Sequence, residues 1–137
     1  MRKTLVLLAL LVALPTAAGA FTFADIQFWV GSGSNQAGLV IDWYDGKDPV
    51  SLAWGFRWDG VATGRTMLDA IKAADPRLFE NYVGPTVVFG LGYDLDGDGF
   101  VYVPGGSETG QAADPDDHYQ EGWMIAGYWS YWVKPSD

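Results

Sequence analysis

The stretch Ser51-Leu52-Ala53-Trp54-Gly55-Phe56-Arg57-Trp58-Asp59-Gly60, continued by Thr63-Gly64-Arg65-Thr66-Met67-Leu68-Asp69-Ala70-Ile71 and closed by Asp75-Pro76, decides the fold class. Its first half alternates with period two. Leu52, Trp54, Phe56 and Trp58 fall on one face of a strand, and Ser51, Ala53, Gly55 and Arg57 on the other. Asp59-Gly60 ends the strand in a turn. The period then changes. Met67, Ile71 and Ala74 recur at i, i+4 and i+7 with Leu68 and Ala70 beside them, the spacing of an amphipathic helix. Thr63 or Thr66 supplies the N-cap, with Asp69 three residues after Thr66 in a capping-box arrangement. Pro76 stops the helix, because it pushes Asp75 out of the α region.

Outward from this centre the chain is patterned for strands. Phe21 to Val30 reads as a first strand, followed by a turn at Gly31-Ser32-Gly33-Ser34-Asn35. Ala37 to Tyr44 is a second, with Leu39, Ile41 and Trp43 on one face, and Asp45-Gly46-Lys47-Asp48-Pro49 turns it. After the helix, Arg77 to Tyr82 adds a further helical turn, and Thr86 to Tyr93, Phe100 to Val103 and Gly122 to Val133 are strands. Between the last two lies Pro104 to Glu121, a polar, acidic, Gly-rich connection longer than most. The order βββ-α-βββ predicts a single α+β domain over residues 21–137, a mainly antiparallel β-sheet carrying one main helix.

Composition narrows the function. The 137 residues are 49% hydrophobic and 15% aromatic, enough for a packed core and too apolar for a disordered chain. With 8 basic against 17 acidic residues the net charge is −9, which speaks against nucleic-acid binding, since that depends on neutralising phosphates with Lys and Arg. Zero Cys excludes disulfides, thiolate metal sites and cysteine nucleophiles. Residues 1–20 read as a signal peptide. Arg2 and Lys3 precede an apolar run from Thr4 to Leu14, Pro15 breaks it, and Ala18-Gly19-Ala20 fits the cleavage pattern. The alternative is an uncleaved N-terminal anchor, although the run is short for a permanent bilayer span. Cleavage removes two of the 8 basic residues and leaves 6 against 17, a charge of −11. An exported protein follows, periplasmic, cell-surface or extracellular, with no transmembrane segment after cleavage.

The sharpest local signal is Asp94-Leu95-Asp96-Gly97-Asp98-Gly99. Asp94, Asp96 and Asp98 stand at the first, third and fifth places of a Ca²⁺ loop, glycine at the sixth allows the sharp turn, and Val101 is the apolar residue at the eighth. The twelfth place is Gly105 rather than a bidentate Glu, and no helices flank the loop, so an EF-hand is not expected. Further ligands would come from Glu108, Asp114, Asp116 or Asp117. The alternative reading is a solvated acidic turn. A second signal is aromatic density. Trp54, Phe56 and Trp58 line one strand face, and Tyr128 and Trp132 share a face of the late strand. These rings are either core or a ligand surface suited to a small molecule, a glycan or a surface partner.

Enzyme signatures are sparse. His118 is the lone histidine, which rules out sites built on several imidazoles, and no serine lies in a G-x-S-x-G elbow. The one polar cluster that mixes carboxylates with an imidazole is Asp114-Pro115-Asp116-Asp117-His118. It supports, as an alternative, a secreted hydrolase pairing His118 with Asp116 or Asp117.

The motifs Trp54-Gly55-Phe56-Arg57-Trp58-Asp59-Gly60, Met67-Leu68-Asp69-Ala70-Ile71 and Gly127-Tyr128-Trp129-Ser130-Tyr131-Trp132 resemble those of a group of exported bacterial proteins of unknown function, some of them on the cell surface. That resemblance runs from about Gly31 to Trp132. More distantly, the helix and the Tyr128–Val133 strand are similar to the transcobalamin-like C-terminal module, with Lys134-Pro135 where that module has Asn-Gly. This resemblance implies a β-grasp-like sheet more than it implies a ligand. The combined expectation is a non-catalytic, exported binding or cell-surface module with a Ca²⁺ loop and an aromatic face. A structural envelope or matrix protein is the third alternative.

Overall fold

The computed structural model describes residues 21–85, 87–106, 109–122 and 129. The expected signal peptide and, apart from Gly122 and Trp129, the expected late strand with Tyr128 and Trp132 lie outside them. The described chain is mostly antiparallel sheet with one helix, the α+β class predicted. After a 3₁₀ turn at Phe23–Asp25 come β1 (Trp29–Gly31), β2 (Asn35–Asp42) and β3 (Ser51–Trp58), then α1 (Gly64–Ala74). There follow β4 (Leu78–Val83), β5 (Val87–Tyr93), β6 (Tyr102–Val103), β7 (Gln111–Ala112) and β8 (His118–Glu121). Two three-stranded sheets result, ordered β1-β3-β2 and β4-β5-β8, with a small β6-β7 ribbon. Only β1 runs parallel to its neighbour. A β-grasp would place its strands in one mixed sheet, whereas among the described residues they form two three-stranded sheets and the ribbon.

The deciding stretch folds as its periods require. In β3, Trp54 and Phe56 are buried, Leu52 and Trp58 half-buried, and Arg57 exposed. The helix starts at Thr63, whose side chain accepts from Thr66 N at 3.1 Å, and its backbone C-cap is Asp75. Its buried face, Met67, Leu68 and Ile71, joins Ile41, Trp43, Trp54, Phe56, Leu78, Leu91 and Tyr93 in one core. Arg77 to Tyr82 is not helical. Leu78 onward forms a strand instead, pairing from Leu78↔Tyr93 to Val83↔Val87. The first predicted strand is likewise mostly irregular, and only its end pairs, as Trp29↔Gly55 to Gly31↔Arg57.

The face of β3 opposite the core is covered from an unexpected direction. Gly55 and Gly38 sit opposite each other in the β2–β3 ladder and leave a groove. The Trp29 ring lies in it, so that a Cβ built on Gly55 would come within 2.2 Å of that ring. Ile26 fills the adjacent space over Gly38, Trp29 Nε1 donates to Ile26 O at 3.2 Å, and the Arg57 guanidinium lies 4.7 Å from the Trp29 ring centre. Residues 23–29 thus strap the outer face of the first sheet.

One buried carboxylate ties helix end to both sheets. Asp75 accepts from Trp54 Nε1 at 3.1 Å, from Tyr93 Oη at 3.0 Å and from Arg77 Nε at 3.1 Å. Burial pushes its carboxyl up, but the bonds from Arg77, Trp54 and Tyr93 outweigh this and hold it below the ordinary range.

Two stability outcomes follow from these contacts. Gly55→Ala must displace the Trp29 ring, and urea unfolding should show a loss of about 1–3 kcal/mol; an unchanged midpoint would mean that the strap is not packed as described. Asp75→Ala leaves a buried indole N–H and a phenol without their acceptor and should cost about 2–4 kcal/mol. Because the folded carboxyl titrates below its unfolded value, the wild type keeps the Asp75 contribution above the unfolded pKa. It loses that contribution as pH falls through the folded one, so the gap between the two proteins should close below about pH 4.

Candidate metal centre

The acidic loop hangs between two paired strands. β5 and β8 are antiparallel from Gly90↔Glu121 to Tyr93↔His118, so Asp94 and Asp117 are the first residues beyond the last pair, one on each strand. Both are buried, Asp94 at 4% exposure and Asp117 at 1%. Asp94 shapes the loop, with Oδ1 accepting from Gly97 N at 2.7 Å and Oδ2 from Gly99 N at 2.9 Å. Gly97 has φ 84°, a left-handed conformation that its lack of a Cβ permits. Asp96 Oδ1 accepts from Asp98 N at 3.1 Å. These bonds bend the chain into a tight turn.

The result is two overlapping groups of carboxylates. One oxygen each from Asp94, Asp96 and Asp117 lies within 4.8 Å of the others, and the same holds for Asp96, Asp98 and Asp114. The predicted Asp94, Asp96 and Asp98 all take part, but Asp98 groups with Asp114 on the exposed side and not with Asp94. Asp117, one of the residues expected to supply a further ligand, completes the first group, in which Asp94 and Asp117 are buried and Asp96 is exposed. Asp116 belongs to neither group, and Glu108 lies outside the described residues.

Asp117 is the unusual member. Its Oδ1 accepts from Leu95 N at 3.0 Å, while Oδ2 is buried with no hydrogen-bond partner among the described residues. Burial pushes its carboxyl above the ordinary range against the Leu95 bond, and the charges of Asp94, Asp114 and Asp96 push the same way. The neighbouring Asp96 charge likewise raises the exposed Asp98 carboxyl. A half-satisfied buried carboxylate among like charges is unfavourable alone. A hard cation reverses that balance, and all-oxygen donors fit one. The group of Asp94, Asp96 and Asp117 could therefore hold a metal ion.

Around this centre lie the other sequence-flagged residues. His118 is fully buried on β8, its Nδ1 2.9 Å from Asp45 Oδ2 and its ring stacked on Trp43 at 4.6 Å and 7°. Its carboxylate partner is Asp45, neither Asp116 nor Asp117, and its ring is sealed from solvent. Trp54 and Phe56 are core, Phe56 stacking on the half-buried Trp58 at 5.2 Å. Tyr128 and Trp132 fall outside the described residues. The exposed rings are elsewhere: Phe21, Phe23 and Phe28 at 51%, 46% and 43%, and Tyr44 at 94%. Asp45 carried no sequence signal beyond its place in a turn. Searches with this chain find no matching protein-family model, no similar curated protein and no similar solved structure.

The electrostatics predict an asymmetric response at Asp117. In a chelating buffer Asp117→Asn keeps an acceptor for Leu95 N and removes a buried charge, so urea unfolding should show equal stability or a gain of about 1–2 kcal/mol. A loss above about 2 kcal/mol in chelator would mark Asp117 as a structural carboxylate whose partner is something other than a cation.

Proposed function

We propose that this protein is a non-catalytic, exported binding or surface module in which Asp94, Asp96 and Asp117 hold a Ca²⁺ ion. Two observations carry the reading: Asp117 is buried with its Oδ2 unpartnered among the described residues, and one oxygen of the same carboxylate lies within 4.8 Å of an oxygen of Asp94 and of Asp96. Ca²⁺ is favoured over Mg²⁺ because the donors are carboxylates on an irregular loop. Ca²⁺ accepts six to eight oxygens in flexible geometry, where Mg²⁺ demands a near-ideal octahedron. Backbone carbonyls and water would complete the shell. The signal-like residues 1–20 direct the chain to compartments where calcium is plentiful.

The sealed ring of His118 and its engagement by Asp45 support a structural role over the hydrolase alternative. Contacts with a glycan or surface partner would fall to exposed rings such as Phe21, Phe23, Phe28 and Tyr44, because Trp54 and Phe56 are committed to packing.

Thermal melts test the reading. Saturating Ca²⁺ should raise Tm by on the order of 10 °C over chelator, with a clearly smaller rise in equal Mg²⁺, and Asp96→Ala should abolish the rise while melting like wild type in chelator. Superimposed wild-type melts in calcium and chelator would sink the proposal.

A further inference from the structure

We propose that the cation site is a clasp that governs the turn at residues 44–50, so that calcium sets how Tyr44 is presented to solvent. This inference rests on the calcium reading above. It begins at the neck of the long excursion between β5 and β8. Asp94 and Asp117 extend the ladder by one opposed position beyond Tyr93↔His118, and like charges placed opposite each other destabilise a strand pair. Among the described residues, the bond across that position from the excursion itself is Leu95 N to Asp117 Oδ1. A divalent cation between the two strands turns the repulsion into a cross-link and fixes Asp117 and His118 in place.

From those two residues two contacts reach the turn and a third reaches Trp43, just before it. Lys47 Nζ donates to the backbone carbonyl of Asp117, His118 Nδ1 donates to the Asp45 carboxylate at 2.9 Å, and the His118 ring stacks on Trp43. Among the described residues, the two hydrogen bonds are the only ones that join residues 44–50 to another segment. The others in the turn are local: Asp42 Oδ1 accepts from Tyr44 N at 3.0 Å, and Asp45 Oδ1 from Lys47 N at 3.2 Å.

The turn is also strained. Tyr44 has φ 51°, a conformation costly for a residue with a bulky Cβ substituent, and its ring is almost wholly in solvent. It gains nothing from packing, so its conformation is held by the local bond of its own N–H to Asp42 and by the ties at Asp45 and Lys47. Those ties end on the residue that ligates the cation and on its neighbour. The turn borders a shallow cleft lined by Tyr44, Asp45, Gly46, Lys47 and Val50, whose shape therefore follows the same clasp. By linkage, whatever loosens the turn must weaken calcium binding by the same factor as calcium tightens the turn.

Hydrogen-exchange mass spectrometry on the wild type and Lys47→Met, with bound calcium counted by native mass spectrometry, tests the coupling. In the wild type, Ca²⁺ should slow exchange about tenfold over 93–98 and 117–121 and also over 43–50, with little change over 29–40. In Lys47→Met the ion should still bind and still protect 93–98, but protection of 43–50 should fall severalfold. A bound ion with unchanged exchange over 43–50, or full protection of that turn in Lys47→Met, overturns the clasp and leaves the calcium site standing. No bound calcium in the wild type overturns both.

Discussion

The structure turns on an electrostatic constraint at the end of one strand pair. Asp94 and Asp117 emerge opposite each other from β5 and β8, both buried, and one oxygen of the exposed Asp96 lies within 4.8 Å of an oxygen of each. Carboxylates brought together in low dielectric repel, and a buried one without a full set of donors is costly. The chain nevertheless builds this arrangement with care, using both oxygens of Asp94 to bend the loop and Asp117 Oδ1 to hold Leu95. The core below supplies the rigidity that keeps the charges together. Leu91 and Tyr93 of β5 belong to the central cluster, and Trp43 Nε1 donates to Leu91 O at 2.9 Å from the other sheet.

The same polar economy recurs around the site. Glu121, at the far end of β8, is buried but accepts from Tyr119 Oη at 2.8 Å, from Tyr102 Oη at 3.2 Å and from Gly110 N at 2.7 Å. Burial pushes the Tyr119 phenol well above its ordinary range, and its bond to Glu121 adds to this. Phe79, Phe100, Tyr102 and Tyr119 stack around this network, with Phe79 and Phe100 at 4.4 Å, and they anchor the small β6-β7 ribbon to the second sheet. Each buried acid of the region therefore has an evident set of donors except Asp117, and that exception points to a ligand.

The sequence made the first sheet and the helix legible for a simple reason: Leu52 to Trp58 and Met67 to Ala74 carry clean periods of two and 3.6, and Asp59-Gly60 and Asp75-Pro76 punctuate them. It was less informative where polar residues are buried. His118–Glu121 reads as the end of an acidic loop, yet three of its four residues are buried, with polar pairing through Asp45, Tyr102 and Gly110 added to the ring contacts of His118 and Tyr119. Leu78–Val83 alternates weakly, and only its ladder with β5 makes it a strand. The Asp94–Asp98 spacing pointed to a candidate cation site, but the carboxylate that completes the group, Asp117, is placed by strand register, which one-dimensional spacing does not encode. For the aromatics, alternation separated the faces of β3 without telling which would be covered. Gly55 and Gly38 let Trp29 close over the second face, so the rings of Trp54 and Phe56 are fully used in packing.

Calorimetric titration of Ca²⁺ into metal-free protein tests the central claim most directly. The account predicts saturable binding with at least one site per chain, lost in Asp117→Asn although that variant remains folded. Binding that survives unchanged in Asp117→Asn, or no binding by the wild type at millimolar calcium, the weak end of the range for extracellular sites, would contradict it.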